Sequence, residues 1–393
     1  MEHKLEAWLR EITEQGVSDL DISSSLKESG YNAHEIQEAL AFKKKIEKPI
    51  VKDFKDKTKT GKDDYKISDK IPQEIREAYI LLSKTREEVA KSVVGQKKAV
   101  DAFMAALLCD GHVLLEGVPG LAKTLLVKTL AEASGCSSKR IQFTVDLLPS
   151  DILGITTYTP QKGFETIKGP IFANFIIADE INRSPPKTQS ALIEAMQEKQ
   201  VTISKQTLPL PKPFFVMANN NPLESSGVYN LPEAQVDRFL FKIIVDYPTS
   251  QDEIEILNRN MTLRHFESYE LNAIINPQKI IEMQQDTKKI YMSREIAQYI
   301  VDLVDATRNP SNYKIEKGKY IGYGASPRAS IGLFIASKAQ ALLKKSPYVL
   351  PEHVKEIARN VLRHRILLNY EGQAENVNSD DIVKEILDKV KVP

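Results

Sequence analysis

His112-Val113-Leu114-Leu115-Glu116 runs without a break into Gly117-Val118-Pro119-Gly120-Leu121-Ala122-Lys123-Thr124, and the reading of these residues decides the fold. The first five read as a strand, because a short apolar run bounded by turn residues suits a strand covered on both faces. The glycines that follow let the backbone wrap an anion with its amide N–H groups pointing inward. The helix expected over 124–134, closed by Gly135, adds the partial positive charge of its N-terminus. Lys123 is placed to reach the outer phosphates of a nucleotide, and Thr124 to ligate Mg2+. Where such loops usually carry a second glycine this chain has Ala122, which is acceptable at the start of a helix. The alternative, a Gly/Pro turn before an unrelated helix, leaves the preceding strand unexplained.

Outward from this loop the chain alternates strands and helices. Helices are expected at 72–91, 96–108 and 186–198, and strands at 140–145, 174–178, 214–218 and 241–246. Two hairpins are expected, one pairing 155–159 with 164–167 around Gln161-Lys162-Gly163, the other spanning 200–210. Alternation of this kind predicts a parallel sheet with right-handed crossovers. From about Gln251 the patterns are mostly helical, which predicts a lid. The expected domains are 1–42, 43–70, 71–250 and 251–393. The first is a small unit of three short helices, punctuated by Gly16 and Gly30, whose GYNAHEIQEAL phrase looks like part of a ubiquitin-associated module. Protein docking and plain dimerisation or capping are both open for it. The second carries eleven lysines against six acids and no sustained period, as a solvated tether does.

Two further strands end in polar groups. Phe175-Ile176-Ile177-Ala178 leads into Asp179-Glu180, and ligands of parallel sheets lie at the carboxyl ends of strands. Asp179 is therefore expected to hold Mg2+, directly or through water, and Glu180 to orient and polarise an attacking water. Phe215-Val216-Met217-Ala218 leads into Asn219-Asn220-Asn221-Pro222. In the lid region, Ser326-Pro327-Arg328 reads as a helix cap, a first-turn proline and an arginine that the helix dipole does not favour there.

Composition narrows the classes. At 393 residues, 42% apolar and 27% charged, the chain fits a soluble globular protein of two or three domains. The net charge of +1 gives no global field for nucleic acid or a membrane surface. No apolar run is long enough to span a bilayer, and MEHKLEAWLREITEQ reads as an amphipathic helix and not a signal peptide. The two cysteines, Cys109 and Cys136, exclude a disulfide framework, read as small core residues and point to a reducing, cytoplasmic setting. The six histidines show no zinc-binding spacing.

The phrases GVPGLAKT (117–124), DEINR (179–183), LPEAQVDRF (231–239) and VLRHRI (361–366) resemble the MoxR family of AAA+ ATPases, over about residues 72–370. The resemblance implies a three-layer α/β/α P-loop core, a helical lid behind it, and hydrolysis of ATP with Mg2+ in a ring, a hexamer. It implies a nucleotide-binding set of Gly95 and Gln96, near the adenine, with Gly117, Pro119, Gly120, Leu121, Ala122, Lys123, Thr124 and Leu125. Thr124 and Asp179 would be the metal ligands, and Glu180 the catalytic carboxylate. Asn221 matches sensor 1, with Asn220 as the alternative, and Arg328 matches sensor 2. Arg238 matches the arginine finger; by itself a DR pair reads as a surface ion pair with Asp237 or Glu233. Both hairpins resemble insertions shared with MCM-type helicases and magnesium chelatases, where they could grip a substrate chain or only pack subunits. Members look like chaperones that remodel partner complexes, often with von Willebrand A-domain proteins. The competing class is a nucleic-acid motor, but no aromatic-basic stripe supports it.

Overall fold

The structure is a computed structural model, and it describes residues 71–117, 123–161, 163–220, 229–259 and 266–393, with isolated positions at Leu26, Tyr31 and Ala39. The chain divides into two compact units, Met1–Asp69 and Lys70–Pro393. In the first, Leu26 and Ala39 are helical and buried, and the Tyr31 N–H donates to Leu26 O at 3.1 Å. The three-helix unit and the charged tether expected from the sequence otherwise lie outside the described residues.

The second unit opens with two helices, α1 (Gln73–Val89) and α2 (Lys97–Leu108). Strand β1 (Val113–Glu116) and helix α3 (Lys123–Ala133) flank the glycine loop. Strand β2 (Ser138–Gln142), the short helix α4 (Pro149–Leu153) and the antiparallel hairpin β3 (Gly154–Thr159) with β4 (Gly163–Lys168) follow. Then come β5 (Phe175–Asp179), α5 (Pro186–Glu198), a second hairpin β6 (Gln200–Ile203) with β7 (Gln206–Pro209), and β8 (Phe215–Asn220). A four-residue helix α6 (Glu233–Val236) leads to β9 (Phe241–Ile244). The rest is mainly helical: α7 (Ser250–Arg259), α8 (Pro277–Lys289), α9 (Arg294–Arg308), β10 (Ile321–Tyr323), α10 (Pro327–Leu343), α11 (Pro351–Leu362), β11 (Leu367–Leu368), α12 (Tyr370–Ala374) and α13 (Ser379–Lys389).

Five strands form one parallel sheet in the order β2-β5-β8-β1-β9. The interior strand β5 is buried along its whole length, as a strand with helices on both faces must be. Alternation along the strands sends side chains to two cores. Val113, Leu115, Ile177 and Met217 join the core built with α2, α3 and the lid helices, whereas Leu114, Ile176, Ala178 and Val216 join the core under α5. The result is the expected three-layer arrangement.

Several elements differ from expectation: the strand expected at 241–246 ends at Ile244, and the short helix α4 was not expected. The second strand of the sheet was expected at 140–145 and lies at Ser138–Gln142. Its only partner is β5, whose register ends with Gln142 opposite Asp179, and after Phe143 N–H donates to Asp179 O the ladder has no further acceptor. The antiparallel pair β10–β11 inside the lid was not expected, because a two-residue strand shows no periodicity. The cap at α10 does match: the Ser326 side chain accepts from the Arg328 N–H at 3.2 Å, with Pro327 at the first helical position.

Candidate functional site

Parallel strands bring their carboxyl ends to one edge, and the edge here carries the expected chemistry. Glu116 lies opposite Asn220 across β1 and β8, and Gln142 lies opposite Asp179 across β2 and β5. Lys123, the first residue of α3, is 8% exposed. Its Nζ donates to Gly117 O and lies 3.4 Å from Asn219 Oδ1. Burial pushes the Lys123 pKa down, against the upward pull of the Asp179, Glu116 and Glu180 carboxylates. A buried cation at the mouth of the glycine loop is a strong attractor for the charge of a polyphosphate.

Asp179, 3% exposed, sits at the centre. Its Oδ2 accepts from Thr124 Oγ1 at 3.4 Å and from Arg140 Nε at 2.5 Å, and its Oδ1 accepts from Asn219 Nδ2 at 3.2 Å. The hydroxyl and the carboxylate that a magnesium ion would need are thus already adjacent, and both are hard oxygen donors of the kind Mg2+ takes. Glu180 begins one turn of 3-10 helix, Ile181–Arg183, with φ 56° and ψ 47°. A non-glycine residue in this left-handed region costs about 1 kcal/mol or more. Its Oε2 accepts from Gln142 Nε2 at 2.8 Å and pairs with Arg183 Nε at 3.0 Å, so the carboxylate is held on two sides.

The β9 side of the cradle is built by close backbone approach. A Cβ on Gly117 would come within 2.8 Å of Val245 O. Gln96 Nε2 donates to Asp246 O at 3.2 Å, and Gly95, at φ +77°, leaves room for Asp252, whose Cγ a Cβ there would meet at 2.9 Å. Gly95, Gln96 and Gly117 therefore border one surface. Leu125, two residues into α3, is half-buried. Pro119, Gly120, Leu121, Ala122 and Asn221 lie outside the described residues. Asn220, the alternative to Asn221, has a buried Oδ1 without a hydrogen-bond partner.

Arg238 and Arg328 are not brought to this edge. The Leu240 N–H donates to His112 O at 2.9 Å, and Phe241 pairs with Val113, the first residue of β1. Arg238, two residues earlier, therefore lies toward the amino edge of the sheet. The five steps from His112 to Gly117, at about 3.3 Å each, put roughly 16 Å between the two edges. Arg328 is held nearby: its Nη1 is 3.5 Å from Asp237 Oδ2, which also accepts from Ser326 Oγ at 3.0 Å. Among the described residues Arg238 forms no ion pair, and its buried Nε has no hydrogen-bond partner. The Asp237 carboxylate is engaged by Arg365, Arg328 and Ser326 instead.

Three side chains of the site were not picked out from the sequence: Asn219, Arg140 and Gln142. The parallel register offers the signal for Asn219, since pairing Ala178 with Ala218 sets Asn219 level with Asp179. Arg140 and Gln142 face the site only because β2 lies beside β5.

Comparison with known proteins agrees with this fold. The family described as "ATPase family associated with various cellular activities (AAA)" matches residues 112–241, and an "AAA lid domain" matches 316–386. The chain is similar to Chaperone MoxR1 of Mycobacterium tuberculosis, with 43% identity over 78% of this chain and 81% of that protein. It is similar to YeaC of Bacillus subtilis, with 43% identity over 80% of this chain and 95% of that protein. Protein MoxR of Paracoccus denitrificans is 30% identical over 72% of this chain and 88% of its own length. A crystal structure of an ATPase candidate from Cytophaga hutchinsonii superposes with a TM-score of 0.76 at 47% identity, covering 81% of this chain and 97% of that one.

Proposed function

The chain belongs to the MoxR family of AAA+ ATPases, and on that premise we propose that its ATP hydrolysis remodels or matures partner proteins from within a hexameric ring. Gly117, Lys123 and the helix start at α3 cradle the phosphates, while Gly95 and Gln96 border the base. Thr124 and Asp179 hold Mg2+, whose charge offsets that of the β- and γ-phosphate oxygens. Glu180 orients the attacking water, helped by Asn221. The separation of the two sheet edges is the observation that carries the ring reading. A chain whose cradle lies roughly 16 Å from the edge toward which its own Arg238 lies is suited to supplying that guanidinium to a neighbour's cradle. The absence of any ion pair on Arg238 among the described residues supports the same reading. Arg328, linked to the same Asp237, belongs with Arg238.

The chaperone assignment follows the name of one relative, Chaperone MoxR1. The client we propose is a von Willebrand A-domain protein, met in the cytoplasm. Among the described residues no helix is long and apolar enough to cross a membrane. Residues 71–250 would form the core, 251–393 the lid, and 1–42 a docking module on a tether. The test is a mixture: Arg238→Ala retains its cradle, and Glu180→Gln retains its finger. Mixed rings should exceed the average activity of the two parents; mixed rings at that average argue against a finger acting in trans. Proteins co-purifying with ATP-locked Glu180→Gln should include the client, and recovery of no A-domain protein in that state removes the client assignment.

A further inference from the structure

The stretch at 361–366 stood out in the sequence without a chemical task, and the structure supplies one. It leaves the end of α11 and lays three successive side chains onto the backbone around Arg238. Arg365, 6% exposed, is the centre of the contact. Its Nε donates to Asp237 Oδ1 at 2.8 Å. Its Nη2 donates to Asp237 O at 3.1 Å and Phe239 O at 2.7 Å, and its Nη1 to Leu240 O at 3.1 Å and to Val361 O. These five contacts match the five N–H donors of a guanidinium. His364 Nε2 lies 3.1 Å from Phe239 O, and burial holds this ring neutral, so Nε2 carries the proton and donates. Arg363 donates from Nη1 to Lys242 O at 3.2 Å and grips Asp380 with Nε and Nη2 at 2.9 and 2.8 Å.

Four carbonyls of one short segment are thus held by the lid, at 237, 239, 240 and 242. The amides of this segment from Gln235 to Phe239 donate within it, and lid side chains supply the donors for its carbonyls. Burying a guanidinium is unfavourable unless its donors are paired, so an arginine serves poorly as mere filling. What it provides is direction, because a planar fork accepts only one arrangement of the carbonyls around it. The clamp stops short of the Arg238 side chain, whose buried Nε stays without a partner.

We infer that Arg365 is the positioning residue for Arg238, locking the segment that bears it to the lid so that its guanidinium is presented in one place to the nucleotide of a neighbouring copy. The inference rests on the trans-acting reading of Arg238 given above. It makes the lid and Arg238 one mechanical body. Asp237 extends the body, since the carboxylate that takes Arg365 also takes Ser326 and Arg328 at the start of α10.

Arg365→Lys tests it, because a lysine keeps a cation beside Asp237 and loses the fork onto the carbonyls. The full chain is assayed for ATP affinity, kcat and KM beside wild type, Arg238→Ala and the double variant. The expected result is ATP affinity within about twofold of wild type, with kcat falling tenfold or more toward the Arg238→Ala level. The double variant should be no slower than Arg238→Ala. In mixed rings with Glu180→Gln, Arg365→Lys should regain activity above the parental average, because its cradle is intact; a general loss of structure would not give this. Wild-type kcat in Arg365→Lys beside an impaired Arg238→Ala overturns the inference alone. Full activity in Arg238→Ala overturns the trans-acting reading and the inference with it. If Arg365→Lys does not assemble, Asp237→Asn carries the same test, with the same loss of kcat expected and the same failure to lose it as refutation.

Discussion

His112 sits at the foot of β1, between the strand that carries Asn219 and the helix behind it. Its Nδ1 accepts from the Val216 N–H at 3.1 Å, and its Nε2 lies 3.1 Å from Met196 O. With the Nδ1 lone pair taken, the ring must be neutral and donate from Nε2. Burial, reinforced by the charge of Lys199 and opposed by the Met196 carbonyl, pushes its pKa down to about 3. The unfolded chain, with an ordinary value near 6.5, therefore binds a proton that the fold refuses. The stability His112 contributes is whole above about pH 6.5 and is lost as the pH falls toward 3. At about 1.4 kcal/mol per unit, lowering the pH from about 7 to about 5 removes roughly 2 kcal/mol through this one residue. His364 is buried neutral and has the same sign, so the wild-type dependence is steeper than His112 alone provides. The comparison of wild type with His112→Gln isolates the residue. Urea unfolding should find the variant less stable near neutral pH by about 1–3 kcal/mol, the value of a buried donor or acceptor left unmade. The gap should close toward pH 5. A gap that stays constant between neutral and acid pH refutes the reasoning.

Lys123→Ala should lose ATP affinity, while Glu180→Gln should bind ATP and hydrolyse it roughly 100-fold or more slowly; normal turnover by Glu180→Gln removes its role toward water. Gln142→Leu frees one of the two holds on the Glu180 carboxylate, a bond worth about 1.5 kcal/mol, so kcat should rise by up to about tenfold with ATP affinity unchanged. A fall of comparable size would show that Gln142 assists the water instead of restraining Glu180. Because burial lowers the Lys123 pKa and bound phosphate raises it, ATP binding at alkaline pH should take up protons, seen as a dependence of calorimetric heat on buffer ionisation enthalpy; proton release there contradicts the assignment. Single-stranded DNA at about 0.15 M salt should change the ATPase rate less than about twofold, and several-fold stimulation favours a nucleic-acid motor.

What was legible in the sequence was short-range. The α5 limits matched at both ends, because Pro186 opens the helix and Lys199, at φ 52°, turns the chain out of it. The strand ending in Asp179 was legible as a run buried on both faces. The β2 limits were not, since a strand stops where its neighbour stops and no local pattern records that. The same distance rule separates the site residues. Lys123 and Thr124 sit in one phrase, and Asp179-Glu180 in another. Gln142 meets Glu180 across 38 residues and Arg365 meets Asp237 across 128. Such pairings need the sheet order and the lid position before they mean anything.

The two edges of β1 also constrain how copies can associate. On the proposed reading of Arg238, the patch that gives differs from the patch that receives, and a head-to-tail contact uses one of each per copy. An open arc of such contacts always ends in one cradle with no donor. Among head-to-tail arrangements, closure is the one in which every copy is competent. Specific activity should climb with protein concentration until circles form and then become flat, and a single finger-defective copy should silence one neighbour and leave the rest of its circle complete.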